Sequence, residues 1–179
     1  MNNTYDVVII GGGVVGSSIA RELSKYKLST CVLEKELDVC LETSGRNSGV
    51  LHAGFNNKVG SLMAKFCVEG NQNFDEVAKE LDIPFKRTGK LVVGFTEEDK
   101  EKLIKMKEQG EANGVVGLEI INNEKIKKLS PFIEGNFALY SPSTGILNPF
   151  IYTIAMAENA VQNGVNYFLD NEVLEVRRD

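Results

Sequence analysis

A strand, a glycine-rich turn and a helix follow one another directly near the N-terminus. Residues 5–10 (YDVVII) form a continuous apolar run rich in β-branched residues, which is typical of a strand buried on both faces. After GGGVVG, the residues Val15, Ile19 and Leu23 repeat at helical spacing, and residues 28–34 (LSTCVLE) again have the composition of a strand. So short a β-α-β unit predicts two parallel strands joined by a right-handed connection, and hence an α/β fold.

The turn carries glycines at Gly11, Gly13 and Gly16, in the pattern G-x-G-x-x-G with Val14 and Val15 before the last glycine. In this pattern the first glycine makes a tight turn, the second lets the backbone approach a pyrophosphate, and the third lets the helix pack on the strand. The phosphates would face the N–H groups and the positive dipole end of the helix. The pattern alone also fits a glycine-rich turn without a ligand.

An acidic residue completes the pattern, because Glu34 ends the second strand 23 residues after Gly11. A carboxylate at this position accepts hydrogen bonds from ribose hydroxyls and disfavours the 2′-phosphate of NADP. Strand, glycines, helix and acid together predict a dinucleotide site. The spacing does not distinguish FAD from NAD.

The rest of the chain predicts further helices and strands. Residues 60–81 have a helical pattern, residues 85–96 read as strand with a hairpin about Gly89, and Thr96 with Asp99 resembles a capping box. We expect Asn123 to cap a short helix that stops at Pro131. We also expect a helix over 148–164, capped by Asn148 and ended by Gly164, followed by the strands VNYFL (165–169) and EVLEVR (172–177).

Charge and cysteine content narrow the functional classes. The net charge is −5, and no run of lysine or arginine exceeds two residues, which argues against a nucleic-acid or anionic-membrane surface. Cys31, Cys40 and Cys67 show no C-x-x-C spacing, and the single histidine leaves too few ligands for zinc. The sequence thus predicts no metal site and reduced thiols in a cytoplasmic protein without a transmembrane segment.

A second motif, TSGRNSGVLHAGF (43–55), follows the β-α-β unit, and GSLMAKFCVEGN (60–71) comes after it. Together with YDVVIIGGGVVGSSIARELS and VLEKE, these segments resemble the N-terminal part of the D-amino-acid oxidase superfamily of flavoproteins. Within that superfamily, the chain is most similar to FAD-dependent glycerol-3-phosphate dehydrogenases of the anaerobic type and to L-2-hydroxyglutarate oxidases. The resemblance covers essentially the whole chain and implies FAD as the cofactor.

The resemblance also implies which residues contact FAD. In such proteins the T-S-x-x-N-S-G segment runs along the flavin side of the cofactor, and the matching residues here are Thr43, Ser44, Asn47, Ser48 and Gly49. Short hydroxyl and amide side chains can hydrogen-bond pyrophosphate and flavin, and glycine allows close approach. A polar surface loop of turn residues is the alternative interpretation.

Two further contacts are implied near strand ends. Lys35 follows Glu34 in VLEKE, and the strand EVLEVR resembles the one whose backbone, near Val173, flanks the adenine. GILNPF (145–150) matches the segment at which relatives return from the substrate domain to the FAD domain.

His52 lies just beyond the flavin-side motif and is the only histidine. By resemblance, a histidine here lies close to the isoalloxazine ring. An imidazole is suited to remove a hydroxyl proton at neutral pH while a hydride leaves the same carbon. Contact with substrate or flavin, or packing in the cavity wall, are the alternatives. Arg46 could bind an anionic group or point to solvent.

The matched segments imply a Rossmann-like FAD-binding domain, discontinuous and incomplete, at 1–84 and 146–179, with part of an inserted α+β substrate domain at 85–145. Relatives usually run well beyond twice this length, so we expect a truncated chain. The basic residues that orient the substrate's anionic group are implied downstream. We therefore expect the chain alone to be inactive and to self-associate through exposed sheet edges.

The resemblance implies the oxidation of a small anionic hydroxy compound, foremost sn-glycerol 3-phosphate to dihydroxyacetone phosphate, by hydride transfer to FAD. Electrons would pass to an acceptor that the sequence does not identify, and this acceptor could link the protein peripherally to a membrane. Oxidation of L-2-hydroxyglutarate or of an amino acid on the same scaffold is one alternative. An inactive nucleotide-binding fragment is another.

Overall fold

The computed structural model describes residues 4–178, which divide into two compact units. The first unit comprises the residues up to Gly49, Lys79–Pro84, and the residues from Asn148 onward. The second unit comprises Val50–Ala78 and Phe85–Leu147.

The segment 50–78 belongs to the second unit, although the predicted bounds placed it in the FAD-binding domain. Packing explains the difference, because Val68 lies in one hydrophobic core with Leu103 and Leu139 of the same unit. The functional roles assigned to the two parts of the chain stay predictions.

The first unit contains a parallel three-stranded sheet with helices packed on it. Its elements are β1 (Val7–Ile10), α1 (Val14–Leu23), β2 (Thr30–Leu33), α5 (Pro149–Gln162) and β9 (Asn166–Phe168). The strand order is β1-β2-β9. β1 pairs with β2 in parallel and α1 connects them, which confirms the predicted β-α-β unit. The core joins both helices to the sheet and consists of Ile9, Ala20, Val32, Ala160 and Val165.

Two glycines fix the turn between β1 and α1. Gly11 has a φ of 103°, a left-handed value that other residues rarely adopt. A Cβ on Gly16 would lie 2.0 Å from the carbonyl oxygen of Gly11, so only glycine lets α1 approach the turn this closely. The first and third glycines thus have the predicted backbone roles.

The prediction that β1 is buried on both faces is wrong for the described residues. Ile9 is buried, but Val8 is 50% exposed and Ile10 is 60% exposed. Among residues 4–178, β1 lies at the edge of its sheet and the face opposite Ile9 is not covered. The run of β-branched residues nonetheless formed a strand, as predicted.

The second unit contains two antiparallel sheets of three strands. The first sheet has the order β3-β8-β4, with β3 at Val50–Leu51, β4 at Phe85–Lys86 and β8 at Gly145–Leu147. The second has the order β5-β7-β6, with β5 at Lys90–Gly94, β6 at Glu119–Asn122 and β7 at Phe137–Ser141. The helices of this part of the chain are α2 (Leu62–Glu80), α3 (Glu97–Ala112) and α4 (Asn123–Leu129).

The predicted hairpin about Gly89 is wrong. β4 pairs with β8 and β5 pairs with β7, so the two strands on either side of Gly89 belong to different sheets. Gly89 still turns the chain, with a φ of 72° and its N–H donated to the carbonyl of Thr144. Pairing with strands far along the chain outweighs the local turn signal.

Helix ends follow the predicted capping chemistry with one shift. Thr96 caps α3, and the reciprocal bond from the backbone of Thr96 to the side chain of Asp99 completes a capping box. Asn148 caps α5, and Gly164 has a φ of 95° just beyond its end, as expected. α4 is capped by Asn122, one residue before the predicted cap.

The predicted strand EVLEVR does not form. Within the described chain, β9 is the last strand, and Leu174 and Val176 are 86% and 77% exposed. The backbone amides of Asp170 and Asn171 donate to the carbonyls of Glu36 and Glu34, which follow β2. Beyond Asn171, no strand within the described residues pairs with the chain. A strand cannot form without such a partner. No helix within residues 4–178 is long and apolar enough to cross a membrane.

Candidate functional site

The N-terminal amides of α1 are the first feature of the candidate site. The opening N–H groups of a helix have no acceptor within the helix. Val14 donates its amide to the Oγ of Ser44 at 3.0 Å, whereas the amides of Gly13, Val15 and Gly16 donate to no other residue in the described chain. Together with the positive end of the helix dipole, these three groups can bind an anion such as a phosphate.

Glu34 is the second feature, and its carboxylate is buried with 8% of the residue exposed. One carboxylate oxygen accepts the amide of Gly12 at 2.5 Å, and the other accepts the amide of Glu36 at 2.9 Å. These bonds hold the glycine turn against the end of β2. A carboxylate has about four acceptor positions, so two remain for the hydroxyls of a ribose.

Ser44 and Gly13 are adjacent to one another. A Cβ on Gly13 would lie 2.9 Å from the Oγ of Ser44, so the second glycine of the turn makes room for the hydroxyl that accepts the amide of Val14. The sequence predicted Gly13 and Ser44 as separate contacts of a cofactor. Their contact with each other adds a structural role that the motif did not indicate.

The loop after β2 is folded largely by Asn47. Thr43–Gly45 form a turn of 3-10 helix, and the side-chain amide of Asn47 donates to the carbonyl of Ser44 at 2.7 Å. The side-chain oxygen of Asn47 accepts the amide of Gly49, whose φ of 64° is left-handed. Asn47 therefore acts within the loop, while Thr43 and Ser48 are exposed.

Three further residues predicted to contact the cofactor are Lys35, Val15 and Val173. Lys35 is exposed, and its pKa is raised by hydrogen bonds and charge attraction from Glu42, at 3.2 Å, and from Glu36, at 3.3 Å. Val15 is 69% exposed at the start of α1. Val173 is half-buried and follows, by two residues, Asn171, whose amide donates to the carbonyl of Glu34.

His52 belongs to the second unit and directly follows β3. Its side chain is exposed, but neighbouring protein atoms remove part of its hydration, and this lowers the pKa of the imidazole. The positive charge of Lys90 lowers the pKa further. Because both effects favour the neutral ring, His52 can accept a proton near neutral pH.

Two residues around His52 were not predicted as site residues. Asn71 of α2 is buried and donates its side-chain amide to the carbonyl of His52 at 3.0 Å. Arg87, just after β4, donates to the side-chain oxygen of Asn71 at 3.0 Å. An asparagine within a helix and an arginine after a strand give no sequence signal of this contact. Arg46 is exposed, and the pKa of Glu42 is lowered foremost by the hydrogen bond and charge of Lys35 and further by the charge of Arg46.

Comparison with protein families gives one match over nearly the whole chain. Residues 6–179 match the family described as FAD dependent oxidoreductase. The chain is also 49% identical over 176 residues to a glycerol 3-phosphate dehydrogenase of Caloramator mitchellensis, with 97% of this chain and 37% of that protein covered. A mitochondrial L-2-hydroxyglutarate dehydrogenase of Nematostella vectensis is 39% identical over 175 residues, with 97% and 38% covered.

A solved structure agrees with these sequence matches. The chain superposes on the dithionite-reduced L-alpha-glycerophosphate oxidase of Mycoplasma pneumoniae with FAD bound, with a TM-score of 0.89 and 31% sequence identity. The match covers 96% of this chain and 46% of that chain. The chain therefore spans less than two-fifths of the two sequence relatives and under half of the solved structure.

We expect Glu34→Ala to weaken FAD binding at least several-fold. The change removes a ribose acceptor and leaves the buried amide of Gly12 unpaired, which costs about 1–3 kcal/mol of folding free energy. FAD titration and chemical denaturation of the complete gene product measure the two effects. The matched control is Glu36→Ala, because within the described chain the Glu36 carboxylate contacts the side chains of Lys35 and Glu42 and accepts no amide of the glycine turn. An unchanged FAD dissociation constant in Glu34→Ala would contradict the assignment.

Proposed function

Since the chain belongs to the FAD dependent oxidoreductase family, we propose that its complete gene product oxidises sn-glycerol 3-phosphate to dihydroxyacetone phosphate. The observation that carries this proposal is the 49% identity to a protein named glycerol 3-phosphate dehydrogenase, over 97% of the chain. The similarity in fold to an L-alpha-glycerophosphate oxidase with bound FAD supports the same substrate. Because the chain spans only part of these relatives, the activity is proposed for the complete protein.

The described residues fit FAD at the glycine turn. In the proposed pose, the pyrophosphate accepts hydrogen bonds from the free amides of Gly13, Val15 and Gly16, and the adenosine ribose bonds to Glu34. The open space beside Gly11, where a Cβ would meet no atom within 4 Å, leaves room for the approach. The exposed hydroxyls of Thr43 and Ser48, Lys35 and the backbone near Val173 would provide the remaining contacts.

In this proposal, His52 is the general base. FAD, when bound, supplies the two-electron acceptor for the hydride that leaves the hydroxyl-bearing carbon. A ring nitrogen of His52 takes the hydroxyl proton as that hydride departs. Loss of one proton and one hydride converts the alcohol into the carbonyl of the product without a change in its net charge. The lowered pKa of His52 supports the role because it keeps the imidazole in its proton-accepting form.

L-2-hydroxyglutarate is the second candidate substrate. It is favoured by the 39% identity to an L-2-hydroxyglutarate dehydrogenase, which also covers 97% of the chain. Both candidates are small anionic compounds with a secondary hydroxyl, so one base and one hydride acceptor serve either. The electron acceptor, a peripheral membrane link and a cytoplasmic location stay predictions.

We expect anaerobic mixing of the FAD-loaded gene product with sn-glycerol 3-phosphate to bleach the flavin and to yield dihydroxyacetone phosphate. L-2-hydroxyglutarate and amino acids should reduce the flavin at least about tenfold more slowly, because a wrong substrate leaves polar groups unpaired at about 1–3 kcal/mol each. The matched control is sn-glycerol 1-phosphate, which differs only in configuration. Faster bleaching by L-2-hydroxyglutarate would assign the second candidate, and no bleaching by any of these compounds would refute the oxidation.

We expect His52→Asn to slow flavin reduction by substrate on the order of a hundredfold, since a general base contributes an effect of this size. FAD content and melting temperature should stay near those of the parent, because the His52 side chain is exposed and makes no hydrogen bond to another described residue. Stopped-flow measurement of the reduction rate is the test. Equal rates for variant and parent would remove His52 from the mechanism.

A further inference from the structure

The orientation of His52 depends on its backbone, because within the described chain its imidazole is not anchored by any hydrogen bond. Two peptide planes flank its Cα and set the direction in which the side chain leaves the chain. The plane before it carries the carbonyl of Leu51, and the plane after it carries the carbonyl of His52. Whatever holds these two carbonyls therefore fixes the Cα–Cβ direction from which the imidazole extends.

One buried side chain contacts both carbonyls. The Nδ2 of Asn71 lies 3.0 Å from the carbonyl oxygen of His52 and 3.4 Å from that of Leu51. The same nitrogen donates to the carbonyl of Ser143 at 3.0 Å. Asn71 is only 4% exposed, so these hydrogen bonds do not compete with bulk water. The Sγ of Cys67, one turn earlier on α2, makes a weaker contact of 3.5 Å with the His52 carbonyl.

The sheet β3-β8-β4 explains why these groups meet. β8 lies between β3 and β4 and runs antiparallel to both. The C-terminal ends of β3 and β4 and the N-terminal start of β8 therefore lie at the same end of the sheet. Three residues lie at this end of the sheet, each within two residues of its strand: His52 after β3, Arg87 after β4 and Ser143 before β8. Asn71 of α2 reaches all three.

Arg87 fixes which way the amide of Asn71 points. A guanidinium donates hydrogen bonds and cannot accept them, so the Asn71 atom facing Arg87 must be the oxygen. The NH2 group, on the opposite branch, must then face the carbonyls. Arg87 is held in turn by the backbone carbonyl of Asn71 at 2.7 Å, by the carbonyl of Ser143 and by the carboxylate of Asp75.

We propose that Asn71, oriented by Arg87, is a positioning residue that holds His52 in the pose required to take the substrate's proton. This inference rests on the proposed role of His52. Asn71 touches neither of the reacting atoms and acts only through the backbone of His52. Because a displacement of about 1 Å can cost on the order of a hundredfold in rate, a single lost tether is enough to impair catalysis.

The test is a double-mutant cycle in the FAD-loaded complete gene product. Asn71→Ala should lower the limiting rate of flavin reduction on the order of tenfold or more, and in the His52→Asn background it should lower the remaining rate less than about twofold. A purely structural role would cost the same factor in both backgrounds. Equal losses in the two backgrounds, or no loss in the parent, would overturn the proposal.

Asn113→Ala is the matched control. Asn113 also donates its side-chain amide to two backbone carbonyls of the same unit, those of Gly54 at 3.1 Å and Asn57 at 2.8 Å, but it does not contact His52. We expect Asn113→Ala to lower the melting temperature about as much as Asn71→Ala does, with little effect on the reduction rate. A comparable rate loss in Asn113→Ala would assign the effect to general destabilisation and overturn the proposal.

A second measurement does not depend on turnover. In histidine-labelled protein, the NMR signal of His52 is identified by its loss in His52→Asn and then titrated. Asn71→Ala should raise the pKa of His52 towards its ordinary value, because the freed imidazole leaves the partly desolvated position near Lys90. An unchanged pKa in Asn71→Ala would contradict positioning.

Arg87→Lys covers the case in which Asn71→Ala does not fold. A lysine keeps the positive charge near Asp75 but cannot reproduce the forked contacts with both oxygens of Asn71. Arg87→Lys should lower the rate of flavin reduction in otherwise unchanged protein but not in the His52→Asn background. If Arg87→Lys reduces the flavin as fast as the unchanged protein, the proposal is contradicted. If His52→Asn alone has no effect, the proposed base fails; if His52→Asn slows reduction and Asn71→Ala does not, only the positioning role fails.

Discussion

The hydrogen bond from the Gly12 amide to the buried carboxylate of Glu34 joins the glycine turn to the end of β2. The backbone of Glu34 extends this connection, because its amide donates to the carbonyl of Phe168 on β9 and its carbonyl accepts the amide of Asn171. One residue thus ties together the turn, two strands and the segment beyond the sheet. Together with the bond from the Val14 amide to Ser44, this bond helps to fix the direction of the free amides at the start of α1, which an anion site built from backbone groups requires.

The same principle operates in both units, where polar side chains hold backbone groups in place. Ser44 accepts the first amide of α1, Asn47 closes the loop in which Ser44 lies, and Asn71 holds the two carbonyls flanking His52. Each of these side chains is short and loses little conformational freedom on folding. The groups proposed to act on ligands, the amides of α1 and the imidazole of His52, can therefore stay unpaired while their positions are fixed.

The sequence predicted local elements better than their pairing. Residues 5–34 gave the β-α-β unit and the acid, because the turn chemistry and the strand composition lie within one short segment. The hairpin about Gly89 is wrong because the flanking strands pair with β8 and β7, far along the chain, and no local signal shows that choice. The segment 172–177 has a strand composition but no partner strand among the described residues.

The residues of the candidate site differ in the same way in how far the sequence predicts them. Motif chemistry predicted Glu34 as a ribose contact, and this role stays a prediction; the structure shows the residue buried and bonded to the glycine turn. Asn71 ends the segment 60–71 that carries the family resemblance, but no sequence pattern predicts its contact with His52. Its contacts exist only because three strand ends meet beside α2. Residues that act through tertiary contacts of this kind need the fold before they can be recognised.

A structure of the complete gene product with bound FAD tests the central claim most directly. The pyrophosphate should lie within hydrogen-bond distance of the amides of Gly13, Val15 or Gly16, and a ribose hydroxyl should bond to the carboxylate of Glu34. That result would place the cofactor on the groups that the fold leaves unpaired. FAD bound with no contact to the glycine turn or to Glu34 would contradict it.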